Sequence, residues 1–457
     1  MKLYSENKDY KLYQGNMLDM LDFIEPQTID SIVCDPPYEL NFMNKGWDNS
    51  GIAFQSDTWE KCYEVLKPGG YLLAFGGSRT FHRIACAIED AGFEIRDTIM
   101  WLYGSGFPKS HNIGLDIDKL NGCPDRGHRV ATASRFHPDG TFEPNGEKLE
   151  PYETKTEEAH KWNGWGTALK PSFEPIIVAR KPLDGTVARN CLKYGVGGIN
   201  TDECRVEPTK EILSRKINKA NNDVYGNYNN FGNENNISDT LGRFPANTIL
   251  TYDETDFDEV CGGFPNTKGN NPKVLGKKGF WFEDERDTKQ MTSGYNDSGS
   301  ASRYFMNCKY TGKDEDFRRY IYTPKASKKD RDEGLDSFNE EKVNDGRQKE
   351  VDNAFQRGET LRKNTHPTVK PTDLMQYLVR LVSPNGATIL DPFNGSGSTG
   401  KAVMYENKER NKNYKYIGIE LTEEYLPIAK ARIEYVSNMK PDDSQMNIFD
   451  LLEKEDS

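Results

Sequence analysis

Apolar and polar positions along the first hundred residues follow two alternating periods. "TIDSIVCD" (28–35) is a run of β-branched and small apolar residues bounded by acids, the pattern of a strand buried on both faces. "FQSDTWEKCYEVL" (54–66) instead places Trp59, Cys62, Tyr63 and Leu66 on one face of a helix, and Lys67-Pro68-Gly69-Gly70 ends it. "YLLAFGG" then predicts a strand, "TFHRIACAIEDAGF" a helix closed by Gly92, and "EIRDTIMWLYG" (94–104) a further strand. Strand and helix in alternation predict a parallel sheet with helices on both faces.

From about 104 to 360 the rhythm breaks into Gly, Asn, Pro and charge. "FEPIIVARKPL" (173–183) and "ANTILTY" (246–252) are the strand-like pieces within it. Nine asparagines between 218 and 236 read as a long polar loop, and 326–358 is charged and poor in large apolar residues, the composition of a linker. Phe-Pro recurs at 107–108, 244–245 and 264–265, each compatible with a simple turn. Order returns with "TDLMQYLVRLV" from 372 as a helix, "ATILD" (387–391) as a strand and "SGSTGKAVMYE" (396–406) as a helix. "YKYIGIE" (414–420) is the next strand, and a helix follows whose start is blurred by Pro427. The expected fold class is therefore α/β: a doubly wound, Rossmann-like sheet whose two ends in sequence flank an irregular insertion.

Composition narrows the setting. Of 457 residues 35% are hydrophobic, and mean hydropathy is −0.82, so much of the chain is loop or solvated surface. Apolar runs such as "GYLLAFGG" are too short to cross a bilayer, and the first residues lack a signal-peptide core. The eight cysteines stand singly without a Cys-x-x-Cys pair, which points to neither a zinc ribbon nor a disulfide framework. A soluble cytoplasmic protein with no metal and no membrane partner is expected. The net charge of −12 argues weakly against a nucleic-acid partner, because a local basic face is enough for phosphate contacts; Arg318-Arg319 and "TPKASKKDR" (323–331) are candidates for one.

"ILDPFNGSGSTGKA" (389–402) carries the first piece of chemistry. A strand runs into a glycine-rich turn and then a helix, the usual seat of a nucleotide. Gly395 to Lys401 fits the phosphate-cradling Gly-x4-Gly-Lys, but the Ser or Thr that should follow is Ala402, and Asp391 would set a carboxylate against the phosphates. A cationic nucleoside without phosphate fits better, and S-adenosyl-methionine is such a ligand. Asp391 would attract its ammonium end, Gly395 and Gly397 would let the backbone approach, and Phe393 offers an apolar face. Glu420 ends the next strand at the distance where an acid accepts from ribose hydroxyls. A turn used only for helix–strand packing is the plain alternative.

The second piece is "SIVCDPPYEL" (31–40). An exocyclic amine on a base is a poor nucleophile because its lone pair is delocalised into the ring. A carboxylate and a carbonyl that accept its two N–H bonds free that lone pair, and an aromatic ring holds the base. Asp35, the Pro36 carbonyl and Tyr38 supply those parts, with Pro36 and Pro37 restricting the torsions. The plain alternative is a strand stop with a proline turn.

Together Asp35-Pro36-Pro37-Tyr38 and Asp391-Pro392-Phe393-x-Gly395-x-Gly397 resemble the amino-directed DNA methyltransferases, which methylate adenine N6 or cytosine N4. Catalytic motif first and cofactor motif last resembles the circularly permuted β subgroup of phage and bacterial members. The likeness covers roughly 10–110, 165–185 and 360–437, with weaker echoes in "WLYGSGFPKS", "GRFPANTIL", "SGSASRYF" and "PKASKKDR". It implies a catalytic set of Asp35, Pro36, Pro37 and Tyr38. The implied cofactor set for S-adenosyl-methionine is Asp391, Phe393, Asn394, Gly395, Gly397, Ser398 and Glu420, with His366, Thr368 and Lys370 of "HPTVKP" (366–371) closing the pocket. The family's Asp near the cofactor adenine is replaced here by Asn16 in "QGNMLDML", with Asp19 three residues on.

The resemblance also implies how the chain is divided. Residues 1–110 form a catalytic half, 111–185 an insertion with a returning strand, 186–358 a target-recognition region and linker, 359–440 a cofactor half and 441–457 an acidic tail. Duplex DNA is the implied partner, with the target base flipped out and Arg243, Arg303 and Lys325 as candidate DNA contacts. Asp at the first motif position is the tendency of adenine enzymes, where cytosine enzymes more often carry Ser. RNA-base and protein-glutamine methyltransferases share such corners but place the glycine loop first; a DNA-binding protein without activity would not need both motifs whole. Members of the subgroup occur as monomers or homodimers, and a bacterial or phage-infected cell is the expected host, with or without a companion restriction enzyme.

Overall fold

The computed structural model describes residues 2–39, 50–103, 110–123, 153–169, 171–206, 244–253, 326–343 and 360–439, with short strand segments at 135–136, 142–143, 266–268, 298–300 and 306–310. Ten strands make the main sheet: β1 Lys2–Glu6, β2 Tyr10–Gln14, β3 Ile29–Cys34, β4 Leu66–Phe75, β5 Glu94–Tyr103, β6 Phe173–Arg180, β7 Thr248–Asp253, β8 Met306–Tyr310, β9 Thr388–Asp391 and β10 Lys415–Glu420. Their order across the sheet is β1-β2-β10-β9-β3-β4-β6-β5-β7-β8. The five strands from β2 to β4 in that order are mutually parallel, as the alternation of strand and helix predicts. Two departures make the sheet mixed: β1 lies antiparallel at the edge, and β6 runs antiparallel between β4 and β5.

Both ends of the chain thus build one sheet. β9, from the C-terminal part, inserts beside β3, with Ile389 opposite Ser31 and Leu390 opposite Ile32. Because the two strands are parallel, Asp35, which follows β3, and Asp391, the last residue of β9, emerge at the same edge. Period-2 alternation then sends neighbours to opposite faces. Val33, Leu73, Phe75 and Ile389 join one apolar layer, and Ile32, Cys34, Leu72, Ala74 and Leu390 join the other.

Helices cover each face. α2 (Ser56–Val65) and α3 (Phe81–Asp90) bring Trp59, Cys62, Ile84 and Ile88 to one layer. On the other face, α8 (Thr372–Val382), α9 (Ser398–Glu409) and α10 (Leu426–Ser437) bring Leu374, Leu378, Val403 and Ile433. Smaller helices are α1 (Met17–Leu21), α4 (Ile113–Leu120), α5 (Glu157–Lys161), α6 (Val187–Tyr194) and α7 (Lys328–Asp332). Pro427 proves to be in the first turn of α10, after a 3₁₀ turn at Glu423–Tyr425, where a missing N–H costs no helical bond.

One stretch departs from its composition. Residues 326–343 read as linker, yet Asp330 and Arg331 of α7 turn inward while Lys328 and Lys329 stay exposed. Lys401, fully buried on α9, holds Asp330 Oδ1 and Glu333 Oε2, each at 2.7 Å. Arg432 of α10, also fully buried, donates to the Asp330 carbonyl at 3.3 Å. Burial pushes the Asp330 carboxyl up, but these two cations outweigh it and hold it below the ordinary range.

Candidate active site

At the end of β3 the polar groups are set by neighbours far away in sequence. Asp35 is partly exposed, and its Oδ2 takes a short hydrogen bond from Lys370 Nζ. Its Oδ1 is buried and has no partner among the described residues. Pro36 is buried and Pro37 half-buried. The Tyr38 carbonyl accepts from Thr80 Oγ1 at 2.9 Å, and its hydroxyl donates to Glu174 Oε2 at 3.0 Å. Lys370 is itself buried. It sits 3.8 Å from Glu174 Oε2, 5.3 Å from the centre of the Tyr38 ring and 4.8 Å from that of Phe75.

The glycine turn after β9 is braced from within. Asp391 is buried; its Oδ1 accepts from Phe393 N–H at 3.0 Å and its Oδ2 from Thr399 Oγ1 at 2.6 Å. Glu420, at the end of β10, accepts from Gly395 N–H at 2.6 Å and from Thr422 N–H at 2.8 Å. Both acids named for a ligand therefore already hold the loop that would meet it. Burial pushes the Glu420 carboxyl above its ordinary range. Asn394 Oδ1 accepts from Tyr416 Oη at 2.7 Å, and Ser396 and Ser398 accept from the buried Arg432 guanidinium at 3.0 and 3.2 Å. Phe393 lies 6.2 Å from the Trp59 ring, joining the apolar layer beneath.

Two glycines are required by this geometry. Gly395 has φ +51°, and a Cβ there would stand 3.0 Å from His366 Nε2; Gly397 has φ +74°, and its Cβ would stand 3.0 Å from Ala429 on α10. Gly395 thus admits the imidazole, and Gly397 lets α9 start hard against α10.

The segment 366–371 joins the two motifs. His366 lies over Gly395 and meets the Tyr425 ring edge-on at 4.5 Å, while Lys370 reaches Asp35. Its anchor is α7: Arg331 donates to the His366 carbonyl at 3.0 Å. Thr368 is exposed, and its N–H donates to His366 Nδ1 at 3.3 Å. Asn16 is half-buried beside this edge, since Gly15 N–H donates to the Glu420 carbonyl at 3.0 Å; its Oδ1 is occupied in capping α1 through Leu18 N–H. Arg243, Arg303 and Lys325 lie outside the described residues.

Sequence reading singled out neither Glu174 nor Arg432. Glu174 had a signal: an acid in second place in the otherwise apolar "FEPIIVAR". Arg432 had none, because its partners Ser396, Ser398 and Asp330 are visible only in three dimensions.

Two opposed titrations follow from this burial. Loss of water pushes the Asp391 carboxyl up to about 7, against the bonds from Thr399 and Phe393 that favour the anion. The same loss pushes the His366 imidazole down to about 4, against the pull of the Asp35 charge. Between about pH 4 and 7 the folded protein keeps an extra proton on Asp391, so this group makes stability fall as pH rises. His366 in its folded state lacks a proton from about pH 4 to 6.5, so it makes stability rise over nearly the same window. Each slope approaches about 1.4 kcal/mol per pH unit, and the two offset. Urea midpoints measured from pH 4 to 7 should therefore tilt upward with pH in Asp391→Asn and downward in His366→Gln, relative to the wild type. Three parallel curves would remove this account.

Comparison with known proteins bears on residues 29–431. A family model for N6/N4 methyltransferases, described as DNA methylase, matches residues 29–431. The type II methyltransferase M.HindIII of Haemophilus influenzae is 30% identical over 148 residues, 32% of this chain and 36% of that protein. The DNA adenine methyltransferase YhdJ of Escherichia coli is 34% identical over 73 residues, 16% of this chain and 23% of that protein. The chain thus spans well under half the length of either curated relative. A solved complex of M1.HpyAVI with SAM is 14% identical, covering 93% of this chain and 98% of that one at a TM-score of 0.36. The family match reaches from β3, before the Asp-Pro-Pro-Tyr corner, into α10, beyond the glycine turn, and by that extent the chain belongs to the N6/N4 DNA methylase family.

Proposed function

We propose that this protein transfers a methyl group from S-adenosyl-methionine to the exocyclic N6 of adenine in duplex DNA, by base flipping and direct in-line transfer. One observation carries the reading: "HPTVKP" touches both motifs, with His366 against Gly395 and Lys370 against Asp35. The two segments are thereby tied together at the ends of adjacent strands, where open α/β sheets bind ligands.

The residues present fit both substrates. At the turn the Cβ spaces of Gly395 and Gly397 are taken by His366 and Ala429, so these glycines pack the turn, and what suits a cationic methyl donor there is the pair of acids Asp391 and Glu420. Asp35 Oδ1, a buried acceptor without a donor among the described residues, matches an amine N–H. When bound, S-adenosyl-methionine supplies the methyl group. Asp35 and the Pro36 carbonyl orient the amine by accepting its two N–H bonds, so that its lone pair faces the incoming carbon. Tyr38 stacks on the flipped base, its ring fixed by the bond to Glu174. The Asp35 carboxylate lies beside the proton that the methylated nitrogen must shed. The region 186–358 reads the target sequence. Adenine is favoured by Asp at the first motif position and by the adenine specificity in the name of YhdJ.

Labelled methyl transfer to duplex DNA, RNA and protein, followed by base analysis, tests this. Label in N6-methyladenine of duplex DNA is the expected result. N4-methylcytosine would overturn the choice of base, and label only in RNA or protein would overturn the choice of DNA.

A further inference from the structure

Two carboxylates share one ammonium beside Tyr38. Lys370 is bonded to Asp35 Oδ2, and Glu174 Oε2 stands 3.8 Å from the same nitrogen while accepting from the Tyr38 hydroxyl at 3.0 Å. Lys370 and Glu174 are both buried, so this partition is not screened as a surface pair would be. An ammonium on Asp35 draws charge away from the group that must accept the amine's N–H. Moving it off that carboxylate would strengthen the acceptor, but a buried ammonium left unpaired costs several kcal/mol. Glu174 removes that obstacle. A shift of roughly 1 Å brings Lys370 from 3.8 Å to ordinary hydrogen-bond distance of Glu174.

Resting on the methyltransferase reading above, we infer that Glu174 is a positioning residue: it takes the Lys370 ammonium from Asp35 as the target base enters, and it fixes the Tyr38 ring against which that base stacks. It acts through Lys370 and Tyr38 and touches neither methyl donor nor acceptor. In Glu174→Gln the side chain keeps its size and an oxygen for the Tyr38 hydroxyl, but Lys370 has one anion left and stays on Asp35.

A double-variant cycle tests this under single turnover, with cofactor and DNA affinities measured alongside. Glu174→Gln should slow transfer roughly 10²-fold, the scale of a misplaced reacting group, with both affinities near wild type. Lys370→Met has its own cost, and adding Glu174→Gln to it should cost almost nothing more. A double variant slowed by the product of the two single effects would assign Glu174 a merely structural role and overturn the inference. So would wild-type rate in Glu174→Gln. If the Gln variant does not fold, Glu174→Asp is measured in the same cycle. It keeps the charge on a shorter arm and should lose roughly 10-fold, again only when Lys370 is present. Absence of transfer by the wild-type protein to any DNA would instead fail the functional reading itself.

Discussion

Replacing Asp35 by alanine is expected to slow methyl transfer about 10³-fold while leaving cofactor affinity within about twofold of wild type. The two effects separate because the glycine turn carries its own braces, and the segment that joins it to Asp35 keeps His366 over Gly395 and Lys370 beside Glu174 when the carboxylate is lost. The glycine turn is held by Thr399 on Asp391 and by Glu420 on Gly395, and no bond from Asp35 enters that set. In the proposed mechanism the alanine removes the acceptor that orients the amine, a contact required as the new bond forms, so the loss falls on the rate of transfer. Stability should hardly suffer. Asp35 Oδ1 is buried without a partner among the described residues, an arrangement that costs folding free energy. Lys370 loses its nearer anion but keeps Glu174 beside it. Single-turnover rates with titration of S-adenosyl-methionine provide the measurement. A loss of less than about tenfold in rate, or an equal loss of affinity, would remove Asp35 from the role of amine acceptor.

The local patterns that sequence exposes are those set by near neighbours. Strand β3 and the β9 turn are legible because short, continuous apolar runs end there on Asp-Pro, and the helices between them because their apolar faces repeat at helical spacing. Pairing between strands is not local. Nothing in "FEPIIVARKPL" says that β6 enters antiparallel between β4 and β5, and nothing in "ATILD" says that it lies beside β3. The same limit acts on side chains. Lys370 reads as part of a cofactor pocket, yet its ammonium rests on Asp35, 335 residues earlier. Asn16 reads as a ligand contact, yet its oxygen caps α1. Charges at 326–343 read as solvated because their partners on α9 and α10 are more than 70 residues away. Composition registers how many charges a segment has but not whether another segment supplies the opposite ones.

Lys401 shows what this difference does to a motif. By spacing it is the lysine of a phosphate loop, and a phosphate role would require its ammonium to reach a ligand over the glycines. Instead it is fully buried between Asp330, Glu333 and the Asp330 carbonyl, at 2.7, 2.7 and 3.0 Å. Two of its hydrogen bonds go to Asp330 and its charge is paired with both acids, and Gly400 before it packs against Ile433 and Tyr416, where a Cβ would stand 2.5 Å from each. Lys401→Ala should therefore act on stability: it leaves Asp330 and Glu333 together with Arg432, 3.8 Å from Asp330, as the cation beside them among the described residues. Removing one partner of such a buried group costs roughly 3–5 kcal/mol, seen as a clear drop in the urea midpoint. The pH dependence has a definite sign. Asp330 is held below its ordinary range in the wild type, so it contributes stability above that range that is lost as pH falls through its folded value. Without Lys401 this carboxyl titrates higher, and the deficit of the variant should shrink as the medium is made acidic and the acids are neutralised. Neither protein should bind ATP. An alanine variant as stable as wild type that had lost a measurable ATP affinity would restore the phosphate reading; a destabilised variant that recovers relative stability in acid would assign Lys401 to the seam joining α7, α9 and α10.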